Sequence, residues 1–133
     1  MATPLPRYTM HHSNFLASFK YAFAGLWYVF RTQRNARIHL LVTTIIVAVG
    51  LWLGLDRTEW AIIALTIGIV LAAEAFNTVA EAVVDLVAAE YHPLAKVAKD
   101  VAAGAVLLMA IVAVIVGLLI LGPPLWRALF ALF

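Results

Sequence analysis

Residues 71–92 read LAAEAFNTVAEAVVDLVAAEYH, with Glu74, Asn77, Thr78, Glu81 and Asp85 spaced one polar group per turn. Their offsets of i, i+3, i+4, i+7 and i+11 are helical and put all five on one face. The rest of the surface is Ala, Phe, Val and Leu, suited to lipid or to a neighbouring helix. A charge at the centre of a membrane helix costs about 2.5–3.5 kcal/mol on insertion scales, so three carboxylates facing lipid would cost on the order of 8–10 kcal/mol. A chain that carries such a stripe is expected to turn it inward, onto a site.

Around this segment the composition is that of a membrane protein. Of 133 residues, 65% are hydrophobic and 12% charged, against about 45–50% and about 25% in ordinary soluble domains. There is no cysteine, which excludes disulfides and thiolate metal sites, and a net charge of +2 gives no reason to expect nucleic acid as a partner. The start of the chain does not read as a cleaved signal. Three apolar spans are expected, near residues 38–55, 60–80 and 101–121, the second running on as a helix towards residue 89. With one short loop, 56–59, and one longer loop, 90–100, the chain reads as a single domain over residues 1–133. Pro123 and Pro124 are expected to break the third helix, leaving GPPLWRALFALF as an interfacial tail.

Arg7, Lys20, Arg31, Arg34 and Arg37 precede the first span, and Lys96 and Lys99 follow the second. The positive-inside rule places the N-terminus and the second loop in the cytoplasm. Residues 13–33 carry Phe15, Phe19, Phe23, Leu26 and Phe30 on one face, the pattern of a helix lying in the interface, with Ser13 as its N-cap. His11 and His12 are adjacent and make a poor metal site. The expected fold is all-α: an N-terminal amphipathic surface helix and three transmembrane helices.

The second helix is longer than the bilayer core, and Trp60 is its natural outer anchor. Glu74 then falls within the inner leaflet, Glu81 near its boundary and Asp85 among the headgroups. A buried carboxylate at Glu74 suits a general base beside a lipid hydroxyl. Carboxylates with the Asn77 amide are hard oxygen ligands that suit Mg²⁺ bridging phosphates, and Lys99 adds positive charge. These parts fit phosphoryl transfer. No GxxxxGK[ST], HRD or DFG motif occurs, so a soluble-kinase architecture is excluded.

At ExxNTxxExxxD (Glu74 to Asp85), EYH (Glu90, Tyr91, His92) and AKD (Ala98, Lys99, Asp100), the chain resembles the small prokaryotic diacylglycerol kinase and undecaprenol kinase family. SFKYAFAGL at 18–26 and RNARIH at 34–39 fit the same pattern, so that the resemblance spans about residues 13–120. It implies a homotrimeric lipid kinase of the bacterial inner membrane, using ATP and Mg²⁺. By position, Glu74 resembles the catalytic base, Asn77 would steady the phosphoryl region, and Glu81 resembles a metal ligand. Tyr21, Glu81, Glu90, Tyr91, His92, Lys99 and Asp100 match nucleotide-contacting positions, while Ser18 and Arg37, with Glu74, match the lipid site. Where much of the family has a glutamate as second metal ligand, this chain has Gln33, whose amide oxygen ligates without charge. The RNARIH form leans towards undecaprenol as acceptor over diacylglycerol.

Two other classes of function compete. An ion or proton carrier would need its polar path to continue towards Trp60, but residues 60–73 offer only Thr66 and Gly68. A non-enzymatic assembly subunit would have no use for Glu90, Lys99 and Asp100 beside the stripe.

Overall fold

The computed structural model describes residues 15–88 and 90–130, and these fold into four helices. They are α1 (Phe15–Thr32), α2 (Arg34–Leu53), α3 (Arg57–Val87) and α4 (Pro93–Phe130). The last three are long and apolar enough to cross a membrane. Ser13, His11 and His12 lie outside the described residues.

Helix α1 carries the expected aromatic face, with Phe15, Phe19 and Phe23 largely exposed. It meets α2 at one non-helical residue, Gln33, whose backbone is extended (φ −93°, ψ 120°). The joint is held by the Gln33 N–H donating to Val29 O at 2.8 Å. First span and surface helix are thus nearly continuous, and α2 begins at residue 34, before the expected residue 38.

The α2–α3 turn is built from local chemistry. Gly54 takes the left-handed conformation (φ 70°), and the N–H groups of Gly54 and Leu55 both return to Gly50 O, at 3.1 and 3.2 Å. Glycine is the residue that closes a helix this way without a Cβ penalty. Two residues later Asp56 caps α3: its Oδ1 accepts from Thr58 and Glu59 N–H, and Glu59 Oε2 accepts in return from Asp56 N–H. That reciprocal pair satisfies donors which the first turn of a helix otherwise leaves open. Gly50 makes the turn compact, because a Cβ there would lie 2.9 Å from Leu55 Cδ1 and 3.0 Å from Trp60 Cη2.

At the other end, α4 starts eight residues before the expected span. Pro93 occupies its first position, where a missing N–H costs nothing. His92 closes the first turn, its Nδ1 accepting from Leu94 N–H at 3.2 Å and its carbonyl from Lys96 N–H at 3.2 Å. The expected loop 90–100 therefore shrinks to its first residues, and Lys99 and Asp100 belong to α4. Nor do Pro123 and Pro124 end the helix, which continues through both to Phe130. Proline's φ is itself helical, and membrane helices tolerate the carbonyls it leaves unpaired. Arg127 Nε lies 3.4 Å from Pro123 O and donates to it.

The α3–α4 pair makes the most extensive helix contact, with α1 and α2 packed on α3 near its polar face. Among the described residues the buried apolar set is small: Val29, Ala36, Ile63, Val70, Val106 and Leu121. Glu74, Asn77 and Thr78 are buried beside them. Leu, Ile, Val and Phe side chains cover the outside of all four helices, as lipid or a neighbouring subunit requires.

Candidate active site

The inward turn expected of the stripe is present at its first three residues, while Glu81 is half-buried and Asp85 exposed. Glu74 is 1% exposed, and Asn77 and Thr78 are buried one turn further along α3. Thr78 Oγ1 is satisfied locally, donating to Glu74 O at 2.9 Å. The Glu74 carboxylate is not: neither of its oxygens, nor Asn77 Oδ1, has a hydrogen-bond partner. The backbone of Ala36 lies close enough to interact with the Glu74 carboxylate, though outside hydrogen-bond geometry, and His39 and Glu81 are within electrostatic reach. Ala36 is itself fully buried. Buried polar atoms without partners are uncommon, because each costs about 1–3 kcal/mol. Three within one turn set this stretch of α3 apart.

One turn on, Glu81 is half-buried and held from two sides. Asn77 Nδ2 donates to its Oε1 at 3.1 Å, and Gln33 Nε2 donates to its Oε2 at 3.1 Å. The first is an i,i+4 pair along α3; the second spans 48 residues and depends on the α1–α2 joint. As the N-cap residue of α2, Gln33 makes no side-chain cap bond and extends its side chain to Glu81 instead. The three residues read as metal-binding or phosphate-steadying candidates therefore form one cluster.

Among the described residues no three His, Asp or Glu side chains converge as a closed metal cage. Mg²⁺ is ordinarily held by one or two carboxylates together with substrate phosphates. Glu81 as the charged oxygen donor, with the unpartnered Asn77 Oδ1 and the Gln33 side-chain oxygen nearby, fits that open arrangement.

A cavity of about 490 Å³ opens between the ends of α3 and α4. Asp85, Glu90, Tyr91, His92, Lys99 and Asp100 all line it. Lys99 Nζ pairs with Asp85 Oδ1 at 2.6 Å, tying α4 to the end of the stripe. Lys96 also lines this cavity, paired with Asp100. Lys96 was not expected at the site, although its i,i+4 spacing from Asp100 is legible in the sequence.

Three expected residues stand apart. Tyr21 and Ser18 are exposed on α1 and Arg37 is exposed on α2, and none of them lines that cavity. Within one chain, Gln33, Asn77 and Glu81 form one cluster and the nucleotide candidates of α3, α4 and the turn between them line one cavity, with these three outside both.

The comparisons with known proteins agree with the motifs. A family profile for prokaryotic diacylglycerol kinase matches residues 20–121. The chain is 52% identical over 113 residues to a diacylglycerol kinase of Synechocystis, covering 84% of this chain and 65% of that protein. It is 42% identical to an undecaprenol kinase of Bacillus subtilis, over 85% of this chain and 92% of that one. A diacylglycerol kinase of Escherichia coli is 33% identical over 71% of this chain and 78% of its own length. The chain thus spans just under two thirds of the Synechocystis protein and most of the other two.

Proposed function

The chain belongs to the prokaryotic diacylglycerol kinase family, and from that premise we propose that it is a membrane lipid kinase, transferring the γ-phosphoryl group of ATP to a lipid hydroxyl. One observation carries the reading to particular residues: a fully buried, unpartnered Glu74 carboxylate beside a Glu81 held by two amides.

Glu74 is the general base. Its free carboxylate oxygens can accept the proton of the lipid hydroxyl as the alcohol oxygen attacks the γ-phosphorus. The new O–P bond forms while the bond from phosphorus to the β–γ bridging oxygen breaks, and ADP leaves with that electron pair. Little covalent work falls to the protein, so positioning and charge neutralisation dominate. Magnesium, when bound, neutralises the β- and γ-phosphates. Glu81, Gln33 and Asn77 are the residues that would hold it and align the phosphoryl group. Lys99 leaves Asp85 to meet phosphate, while Glu90, Tyr91, His92 and Asp100 contact the nucleotide, joined by Tyr21.

Ser18 and Arg37 bind the lipid headgroup region. Tyr21, Ser18 and Arg37 stand away from the α3–α4 cavity, which supports a site completed by a neighbouring subunit; that the subunits number three is what the family resemblance implies. The whole chain acts as one domain in the bacterial inner membrane, with its N-terminus and the α3–α4 turn in the cytoplasm, where ATP is available. Basic residues on those segments support this orientation.

The acceptor class is tested by supplying undecaprenol and diacylglycerol separately, with labelled ATP and Mg²⁺, to the full chain in detergent–lipid micelles. Label in either lipid supports the kinase, and the ratio of the two rates ranks the acceptors. No label in either lipid, from folded protein, contradicts the reading.

A further inference from the structure

Glu74 is sealed in the fold at 1% exposure, and a base so placed must shed a proton after every transfer. Among the described residues, two titratable side chains lie within electrostatic reach of it, Glu81 and His39. Glu81 is already engaged, since its two oxygens accept from the Asn77 and Gln33 amides and its charge serves the phosphates. His39 has no part in the site described above.

The register of α2 against α3 places it. The two helices pack antiparallel across the short turn at residues 54–56, and Gln33 Nε2 reaches Glu81 Oε2 at 3.1 Å. From that pair, the six residues along α2 to His39 and the seven back along α3 to Glu74 rise about 9 and about 10 Å. His39 and Glu74 therefore stand at one level. They also share a side. His39 lines a cavity of about 470 Å³ with Val42 and Ile46 of α2 and with Ile67 and Val70 of α3, and Glu74 is one turn beyond Val70. Ala36, whose backbone lies near the carboxylate, is one turn before His39 on α2.

The surroundings suit proton transfer. His39 is half-buried and five residues from the Arg34 start of α2, whereas Glu74 is closed off. Imidazole is the side chain that takes up and gives back protons near neutral pH. No hydrogen bond joins the pair at rest. Proton transfer needs such contact, direct or through one water, and catalytic contacts often tighten only once substrate is bound.

We propose that His39 relays the proton from Glu74 to water, resetting the base between turnovers. The lipid hydroxyl's proton first passes to the Glu74 carboxylate as the new O–P bond forms. The Glu74 O–H bond then breaks as an imidazole nitrogen of His39 takes the proton on its lone pair. The imidazolium gives that proton to water, so that one proton reaches solvent for each phosphoryl group transferred and both side chains return to their starting states. His39 acts through Glu74 and does not touch the substrate. The inference rests on the kinase reading above, with Glu74 as base, and goes beyond it by assigning the proton's exit.

Resetting and transfer are separable in time, which gives the test. The full chain in detergent–lipid micelles receives labelled ATP, Mg²⁺ and undecaprenol or a diacylglycerol, whichever the wild-type protein labels faster. His39→Gln should complete its first turnover at a rate within about three-fold of wild type, then run at a steady-state kcat at least ten-fold lower. The normal first turnover certifies that the variant is folded. His39→Ala should behave alike, and added imidazole, for which the adjoining cavity has room, should restore its kcat at least five-fold while leaving wild type unchanged.

Equal loss of first turnover and steady state in both variants, unrelieved by imidazole, overturns the relay in favour of a packing role. An unchanged steady state in both overturns it too, and sends the proton out by another path. A slow steady state that imidazole does not relieve overturns it in favour of slower product release. Transfer to neither lipid by the wild-type protein overturns the kinase reading and this inference with it.

Discussion

At the scale of single residues, Glu74 and Glu81 are both carboxylates on one helix, yet their surroundings differ. Glu74 is buried with no hydrogen-bond partner, whereas Glu81 has a donor on each oxygen. The first suits proton transfer and the second charge placement. Removing the Gln33 amide should leave Glu81 less ordered. Gln33→Ala is expected to weaken Mg²⁺-dependent ATP binding about five-fold, corresponding to the ~1 kcal/mol of one net hydrogen bond. Titration calorimetry at several Mg²⁺ concentrations reads this directly. Gln33→Glu should do the reverse, lowering the Mg²⁺ concentration needed for half-maximal ATP binding; an unchanged Mg²⁺ dependence would remove Gln33 from the metal's surroundings. The stripe itself was legible in the sequence, because 3.6-residue spacing reports a face without any tertiary knowledge. The Gln33–Glu81 contact was not, since it joins residues 48 apart through a backbone break that no local pattern announces.

Among the elements, the α2–α3 turn carries the plainest local code. Asp56→Ala removes an N-cap with two accepted bonds and should cost about 1 kcal/mol, read as a lower midpoint in thermal or denaturant unfolding with ATP affinity unchanged. Gly50→Leu forces a side chain against Trp60 and Leu55 and should cost about 1–3 kcal/mol. Here too the loss belongs to stability, since the turn lies at the opposite end of α3 from Glu81. The spans were foreseeable from apolar run length, but their ends were not. Helix α4 reaches back to Pro93 because the polar turns around Lys96, Lys99 and Asp100 are as helical as the apolar ones, and hydropathy does not register them. Pro123 and Pro124 were expected to stop that helix. They do not, because helical φ is within proline's range and a membrane helix tolerates the backbone groups it frees.

For the whole molecule, the question is how a protein with so few buried apolar residues keeps a buried carboxylate. Its outer surfaces are apolar, as a bilayer requires, so little internal core is needed. Burial is spent instead where α1, α2 and α3 converge on the stripe. Beyond Val70 the space between α2, α3 and α4 is lined mainly by apolar side chains such as Ile46, Ile63 and Ile67, which argues against a carrier. The exposed Lys99–Asp85 pair adds little to stability, as surface ion pairs contribute about 0–1 kcal/mol. Lys99→Ala should therefore raise the KM for ATP with scarcely any change in the unfolding midpoint, whereas a structural role for Lys99 would move the midpoint instead.

The central claim is that Glu74 takes the proton while other residues hold the nucleotide. The most direct measurement is single-turnover transfer of labelled γ-phosphate to lipid by Glu74→Gln, alongside ATP binding by the same variant. Transfer lost by at least a hundred-fold, with ATP affinity within about three-fold of wild type, is the predicted result. Near-normal transfer by Glu74→Gln would contradict the account and place the base elsewhere.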